Sequence, residues 1–426
     1  MKGTLALARS FDRTVKLLLV NQLTINTGFY MLMPYLAGHL SGSLAMPAAL
    51  VGLVLGVRHL SQQGMFLVGG TLADRLGCKP LIIAGCALRT VAFLLLAVAE
   101  SLPALVVASV LTGFAGALFN PAVRAYLALA AGERKVEAFA AFNAFYQLGI
   151  LAGPLIGLLL NAVAFRLVCL VAGLVFAVLT LAQIRSLPAR PTPAAPEGGS
   201  VLRDWREVLT NRPFLLFSLA MIGSYVLNFQ VYLALPLEIR RVTGDELGVT
   251  LVFALTAVLT IAGQARATAW ASRRLRPAQA IAWGVALMGA AFLPPALASA
   301  TGAAGAPLGG LAHAVALVPV LCTAALLGLA TMVVYPFEMA TVVTFAGPRL
   351  VATYYGLYST LSGIGIAAGN LLTGWLLDLG SASGVPALPW AVLALIGAGC
   401  AAAVAVLDRS GRLAAAPRAA AAGTPG

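Results

Sequence analysis

The stretch Gly70-Thr-Leu-Ala-Asp-Arg-Leu-Gly-Cys-Lys-Pro80 is a short charged turn between two long apolar runs. The run before it begins near residue 47, and the run after it ends near residue 99. Each run has about the 20 residues that a helix needs to cross a bilayer. The turn carries an acid and two basic side chains, which suit a loop at an anionic membrane surface. The segment therefore predicts two membrane-spanning helices joined on one side of a membrane.

Composition extends this prediction to the whole chain of 426 residues. Hydrophobic residues make up 61% and charged residues only 10%, with a mean hydropathy of +0.95. Soluble domains contain about 25% charged residues, so a soluble protein is excluded. Runs such as 170–183 and 251–262 are apolar on every side, unlike the alternating strands of a membrane β-barrel. We expect an all-α membrane protein with about twelve transmembrane helices.

The predicted spans are separated mostly by short connections. They are residues 15–40, 47–69, 80–99, 103–127, 138–161, 165–184, 213–239, 247–270, 277–299, 314–342, 351–378 and 387–407. The long connection 185–212 begins proline-rich and ends with polar residues around Trp205 that suit a surface helix. We expect a six-helix half over 1–184, a cytoplasmic linker over 185–212, a second six-helix half over 213–408 and a disordered cytoplasmic tail over 409–426.

The net charge of +13 reflects membrane topology. Of the 27 Lys and Arg residues, only Arg166, Arg240 and Arg241 fall in connections on one side, and Arg58 and Arg89 fall within spans. By the positive-inside rule, both termini are predicted to be cytoplasmic. No soluble segment is long enough for nucleic-acid binding or for a nucleotide-binding domain, and no phosphate-binding glycine loop is present. We expect no enzyme activity, no cofactor and, since the five cysteines are isolated, no metal site.

An internal repeat supports two related halves. Residues 116–157 match residues 330–374, with Asn120-Pro121 aligned to Tyr335-Pro336 and glycines kept in register across two spans. Such a repeat is typical of transporters built from two halves related by an axis along the membrane normal. Chance similarity between glycine- and alanine-rich helices is the alternative.

The charged turn resembles the signature loop of the major facilitator superfamily, G-x-L-A-D-R-x-G-R-K, with Cys78 in place of a basic residue. An acid near the start of a helix from the other half meets that helix's partial positive charge, so this loop can act as a cytoplasmic latch. A second stretch, Gly149-x-x-x-Gly-Pro-x-x-Gly157, resembles a motif of the superfamily's drug:proton antiporters and can seal the other end through close helix packing. Helix packing without any role in coupling is the alternative for these glycines. The predicted gate residues are Gly70, Asp74, Arg75, Gly77, Lys79, Gly149, Gly153, Pro154 and Gly157.

Further stretches resemble the MdtH-type multidrug efflux proteins over nearly the whole chain. They are residues 51–64, 165–169, 374–380 and 388–390. The resemblance implies a multi-pass protein of the bacterial inner membrane that exports small molecules as protons move inward. Asn21 and Asn120 stand where that group carries Asp, and Ser109 stands where the superfamily has Arg. An uncoupled facilitator, or a dedicated exporter of one metabolite, is therefore the alternative to a proton antiporter.

In this fold, spans 1, 4, 7 and 10 line a central cavity, so their amide, aromatic and Met side chains are candidates for binding varied ligands. Ordinary helix packing is the alternative for each of them. The candidate substrate-binding residues are Asn21, Gln22, Asn26, Tyr30, Asn120, Tyr225, Asn228, Tyr232, Met332, Tyr335, Phe337 and Glu338. The expected partners are a small-molecule substrate, protons and the lipid bilayer, with the protein as a monomer.

Three charged residues fall well inside predicted spans, away from the helix ends. Glu338 is the acid placed well within span 10, where a carboxylate could exchange a proton for a cationic substrate; an ion-pair anchor is the alternative. Arg58 and Arg89 fall near the middles of spans 2 and 3, where an unpaired guanidinium is costly, so both need acceptors. We expect them to join helices, with binding of an anionic group or tuning of an acid as alternatives.

Overall fold

The computed structural model describes residues 8–131, 134–188, 201–244, 246–300, 311–346 and 351–413. All regular structure in these ranges is helical. A helix satisfies its own backbone N–H and C=O groups, which a segment in lipid must do because no water is available. The prediction of an all-α protein is confirmed.

Up to residue 188, the chain forms helices α1 to α8, with a π-helical turn at His39–Ser43. The helices are α1 (Arg13–Tyr30), α2 (Met33–Gly38), α3 (Ala48–Gly64), α4 (Phe66–Leu76), α5 (Cys78–Leu96), α6 (Leu102–Ala131), α7 (Lys135–Asn161) and α8 (Phe165–Ser186). We refer to residues 13–186 as the first half of the chain.

The later residues form α9 to α17, with a 3-10 turn at Phe229–Tyr232. The helices are α9 (Val201–Thr210), α10 (Arg212–Asn228), α11 (Ala234–Thr243), α12 (Leu247–Arg274), α13 (Pro277–Ala290), α14 (Leu293–Ala300), α15 (Leu311–Ala346), α16 (Val351–Ala382) and α17 (Leu388–Arg409). Residues 212–409 are the second half of the chain. The amphipathic α9 lies where the surface helix of the linker is predicted, with Val208 buried and Trp205 exposed. The proline-rich residues 189–200 and the tail beyond 413 lie outside the described residues.

Within the described residues, ten helical segments are long and apolar enough to cross a membrane. They are Cys78–Leu96, Leu102–Ala131, Ala141–Asn161, Phe165–Ser186, Arg212–Thr243, Leu247–Gln264, Pro277–Ser299, Ala314–Ala346, Thr353–Ala382 and Leu388–Arg409. The first two predicted spans are interrupted instead. The first breaks after Tyr30, just before Pro34, which has no N–H to donate; the second breaks at Met65. The number of twelve spans stays a prediction.

Side-chain contacts show which connections lie together. Arg134 Nη2 donates to Ser10 Oγ at 2.9 Å, and Arg276 pairs with Asp408 at 3.2 Å. We call this end, which holds the first and last described residues, the terminal end. The opposite end, where α3 begins at Ala48, is the distal end.

The two halves contact each other mainly where α3 packs antiparallel to α16, and also where α7 packs on α12. Glycines allow the backbones of α3 and α16 to approach closely. A Cβ at Gly52 would collide with the carbonyl oxygen of Asn370, and one at Gly56 would lie 3.0 Å from the carbonyl oxygen of Ala367. Close approach of this kind is typical of small residues at interfaces between helices in membranes.

Candidate functional site

Glu338 lies in α15, two residues after the internal Pro336, and its side chain is 3% exposed. The Tyr358 hydroxyl of α16 donates to Glu338 Oε1, and Tyr225 of α10 is a close neighbour of the acid. Among the described residues, no basic side chain forms an ion pair with this carboxylate. The acid is therefore hydrogen-bonded to a phenol of another helix.

Aromatic rings surround this carboxylate. Tyr358 stacks on Phe217 with ring centroids 6.2 Å apart, and Tyr225 meets Tyr358 edge-on at 5.8 Å. Tyr335, one turn before Glu338, is 55% exposed. The same turn of α15 thus carries an exposed phenol, Tyr335, and a buried acid, Glu338. Sequence reasoning missed Tyr358, because nothing near residue 358 indicates which helix it faces.

A second group of aromatic residues joins the two halves near the middle of the bundle. The Tyr232 hydroxyl donates to the Tyr30 hydroxyl at 3.3 Å, and the hydroxyls of Tyr30 and Tyr146 are 3.5 Å apart. Phe253 lies within 6.0 Å of both Tyr30 and Tyr232, measured between ring centroids. We call these four residues the central aromatic cluster. The predicted residues Tyr30 and Tyr232 are therefore brought together, although 202 positions separate them in the chain.

Both tyrosines occupy corresponding local structures. Tyr30 ends α1 four residues before Pro34, and Tyr232 ends the 3-10 turn four residues before Pro236. A proline restricts the backbone before it and cannot donate a hydrogen bond, so each helix is interrupted at the tyrosine. The repeated Tyr-x-x-x-Pro pattern is a sequence signal that could have paired these residues in advance.

The predicted amides form bonds between and within helices. Gln183 Nε2 of α8 donates to Asn21 Oδ1 at 2.7 Å, and Asn26 Nδ2 donates to the carbonyl of Gln22, one turn earlier in α1, at 3.0 Å. Asn228 Oδ1 accepts from Thr331 of α15 at 3.2 Å. Buried amides need such partners because water is absent. Their role as substrate ligands stays a prediction.

The other predicted binding residues are less closely grouped. Met332 is buried, and its carbonyl accepts a hydrogen bond from Gln264 at 3.1 Å. Phe337 and Asn120 are partly buried. These positions add apolar and polar surface on α6 and α15, and their role as substrate ligands stays a prediction.

Arg89 of α5 is fully enclosed in the first half. Its guanidinium carbon lies 4.8 Å, 4.9 Å and 5.4 Å from the ring centroids of Phe29, Phe119 and Phe176. Its Nη2 donates to the carbonyl of Thr112 at 3.1 Å. Aromatic faces carry negative partial charge, so three rings compensate the cation where water cannot. The expectation that Arg89 joins helices fits this geometry.

Arg58 of α3 lies beside His59, whose Nε2 it contacts, and donates to Gln62 Oε1 at 3.2 Å. His59 Nδ1 lies 2.8 Å from the carbonyl of Leu55. A guanidinium can only donate, so His59 Nε2 accepts and the proton of the neutral imidazole is on Nδ1. The ring of His59 packs edge-on against Phe229 of the second half, with centroids 4.4 Å apart.

The predicted gate residues of α7 lie against α1. A Cβ on Gly149 would meet Asn26 Cβ at 2.5 Å, and one on Gly153 would meet Tyr30 Cβ at 2.7 Å. The carbonyl of Pro154 accepts a hydrogen bond from the Tyr35 hydroxyl at 2.6 Å. The glycine pattern therefore places α7 and α1 in close contact.

The charged turn lies at the end of α4. Gly77 has φ of 88°, a conformation that favours glycine, and it separates α4 from α5. Lys79 Nζ donates to the carbonyl of Ile184 at 3.3 Å. The side chains of the predicted latch residues Asp74 and Arg75, and the surroundings of Gly70, lie outside what the structure describes.

At the distal end, polar contacts between the halves were not predicted. Tyr35 Oη lies 2.6 Å from Thr250 Oγ1 of α12. Asp378 of α16 accepts hydrogen bonds from the backbone at the start of α3. Glu238, in the middle of α11, is also buried and accepts two hydrogen bonds from Arg241 of the same helix, at 2.7 Å and 2.8 Å.

A bundle of bilayer-length apolar helices, with hydrogen-bonded polar side chains buried between two halves, is the architecture of a membrane transport protein. The family comparison agrees with this class. The chain belongs to the major facilitator superfamily, whose family model matches residues 18–369. Its members are transporters and not enzymes, so the predictions of a multi-pass membrane transporter without enzyme activity are confirmed.

Relatives extend over most of the chain. An uncharacterized MFS-type transporter of Mycobacterium tuberculosis strain H37Rv is 48% identical over 397 residues, covering 93% of each chain. The multidrug resistance protein MdtH of Cronobacter sakazakii is 31% identical over 388 residues, covering 90% of this chain and 91% of the relative. MdtH of Yersinia enterocolitica is 28% identical over 383 residues. The predicted resemblance to MdtH-type proteins is confirmed.

Solved structures share the fold at low sequence identity. A peptide transporter of the POT type in complex with sulfate has a TM-score of 0.77 at 14% identity, covering 97% of this chain and 99% of that chain. A variant of the nucleoside transporter NupG has a TM-score of 0.76 at 15% identity, covering 93% and 99%. At this identity, the similarity shows the fold and leaves the substrate to other evidence.

Proposed function

We propose that this protein is a secondary active exporter of small lipophilic compounds that works by proton antiport with alternating access. In this proposal, twelve transmembrane helices form two six-helix halves, residues 1–184 and 213–408, joined by the linker 185–212. Both termini lie in the cytoplasm, so the terminal end is cytoplasmic. The MdtH relatives, named as multidrug resistance proteins, support the substrate class.

The buried carboxylate of Glu338, which accepts a hydrogen bond from Tyr358 and forms no ion pair with a described basic group, is the observation that carries the proposal. An acid in an apolar helix is costly, so an acid there without a compensating charge indicates a function. The hydroxyl donor stabilises the carboxylate, but it leaves the acid able to take up a proton or face a cation. Proton and substrate can then compete for the same acid.

The neighbouring groups give this acid a route to substrate. Exposed Tyr335 lies one turn from Glu338 on α15, while the distal end is closed by Tyr35 and Thr250. In this conformation, a lipophilic substrate would reach the acid from the terminal end. Binding of a cation would favour release of the Glu338 proton, and reprotonation from the other side would favour release of the substrate.

The test is transport in liposomes with an imposed pH gradient. A fluorescent lipophilic cation is followed with an acidic interior, so that protons leave as the dye enters. We expect driven accumulation by wild type and its loss in Glu338→Gln, with dye binding still measurable. Glu238→Gln is the matched control, because the same change falls on a buried acid that is paired with Arg241. Full driven accumulation by Glu338→Gln would refute the coupling role.

An uncoupled facilitator is the second candidate. It is favoured by Asn21, an uncharged amide already bonded to Gln183, where the MdtH-type resemblance leads us to expect an acid. A facilitator would equilibrate the dye at the same rate with and without the gradient, in wild type and in Glu338→Gln alike. That result would reduce Glu338 to a structural role.

A further inference from the structure

Helix α3 begins without a capping side chain of its own. It starts at Ala48, directly after Pro47, and the side chain of Pro47 cannot accept a hydrogen bond from the first N–H groups of the helix. The first N–H groups of a helix lack partners within the helix and are usually satisfied by Ser, Thr, Asp or Asn just before it. The start of α3 therefore needs an acceptor from elsewhere.

That acceptor comes from the other half of the chain. Asp378 Oδ1 accepts from the backbone N–H of Ala48 at 2.9 Å, and Oδ2 accepts from the N–H of Ala49 at 2.8 Å. The residues joined by the first bond are 330 positions apart. Both oxygens of one carboxylate thus occupy the end of α3 that carries partial positive charge.

The backbone of α16 is shaped to allow this contact. Gly374 lies one turn before Asp378, and a Cβ there would collide with the carbonyl oxygen of Ala48 and lie 2.9 Å from Ala49 Cα. Residues four apart lie on the same helix face, so glycine and acid face α3 together. Among the described residues, Asp378 forms no salt bridge. Its electrostatic partner is therefore the partial positive charge at the start of α3.

We infer that Asp378 is a latch that stabilises the closed distal end and is released when α3 and α16 separate there. The inference rests on the alternating-access part of the proposed function. When α3 and α16 separate, the Asp378 carboxylate and the N–H groups of Ala48 and Ala49 lose these two hydrogen bonds. The bonds therefore stabilise the closed state and not the open state. Asp378 does not touch the proposed coupling acid and acts on the balance between conformations.

Hydrogen–deuterium exchange of the full chain in lipid nanodiscs tests the latch, because it reads backbone N–H groups directly. Asp378→Ala removes both acceptors, and Asp378→Asn keeps one neutral acceptor. Ala48→Pro tests the donor side, since proline fits the first position of a helix but has no N–H. Glu238→Gln is the control at the same end of the bundle.

We expect Asp378→Ala to raise exchange about fivefold in residues 31–38 and 247–252, which close the distal end elsewhere, since losing such a cap costs about 1 kcal/mol. Asp378→Asn and Ala48→Pro should give smaller increases, and Glu238→Gln none. Faster exchange at residues 48–50 alone would show a local helix cap and overturn the latch. Unchanged hydrogen–deuterium exchange in all the variants would also overturn the latch.

The outcome is independent of whether Glu338 couples protons. Exchange requires no substrate or gradient, so a facilitator would still show the latch. Conversely, loss of driven transport in Glu338→Gln would stand even if Asp378 were only a cap.

Discussion

Gly52 gives a sharp test of the close contact between α3 and α16. A Cβ at this position would collide with the Asn370 carbonyl oxygen, lie 2.9 Å from the carbonyl carbon, and lie 3.4 Å from Leu371 Cα. All three are backbone atoms, so no side-chain rotation can relieve the contact. Non-bonded carbons prefer about 3.5–4.0 Å, so the helices must move apart by roughly 0.5–1 Å in Gly52→Ala.

Two opposing effects act on Gly52→Ala. Overpacking costs about 1–3 kcal/mol, whereas alanine is better than glycine inside a helix by about 0.5–1 kcal/mol. The steric cost applies only while the distal end is closed, because separation of α3 from α16 removes it, whereas the helix advantage of alanine is present in both conformations and cancels from their ratio. We therefore expect Gly52→Ala to disfavour the closed state by about 1–3 kcal/mol, which is roughly a 5- to 160-fold change in the ratio of closed to open protein.

Gly399 supplies the matched control. It lies inside α17, and a Cβ there would have no atom within 4 Å. Gly399→Ala should therefore raise the thermal unfolding temperature, while Gly52→Ala lowers it and speeds exchange at residues 31–38. If both variants raised the unfolding temperature and neither changed exchange, the two helices would not pack as closely as described.

Two further predictions concern hydroxyl groups. Tyr35→Phe and Thr250→Val should each destabilise the closed distal end. A double-mutant cycle, measured by hydrogen–deuterium exchange at the distal end, should give a coupling free energy of about 0.5–1.5 kcal/mol. Additive effects would show that the two hydroxyls do not interact. Tyr358→Phe removes the hydroxyl that donates to Glu338, so the anionic carboxylate loses stabilisation. We expect the pH at which driven transport is half-maximal to rise in Tyr358→Phe, and an unchanged pH profile would assign Tyr358 to packing alone.

The sequence predicted the helices and the unusual side chains well, because both depend on local composition. An acid or an arginine within an apolar run must be buried, so Glu338, Arg58 and Arg89 could be identified without a structure. An amide such as Asn21 in an apolar helix also predicts a polar partner. The sequence could not name Gln183, since the partner depends on which helices become neighbours.

The contacts between halves could not be predicted for the same reason. Asp378 follows an apolar run, as an acid at the end of an ordinary helix does. Its contact with the start of α3 is seen only when the two helices are placed side by side. The interrupted first spans were missed because a length rule treats apolar runs as continuous. Pro34 and Pro236, each four residues after a tyrosine, carried the information that the helices break and that the two breaks correspond.

Arg89 of the first half and Glu338 of the second half are compensated by different means, and this difference bears on where coupling can occur. Arg89 is held by aromatic faces and a backbone carbonyl, none of which can gain or lose a proton near neutral pH. Glu338 accepts a hydrogen bond from the Tyr358 hydroxyl, so its charge can be removed by a single proton while its neighbours stay in place. The arginine is suited to a fixed structural charge and the glutamate to a variable one. If protons drive transport, the change of charge should therefore occur in the second half, and the first half should respond through its contacts with α16.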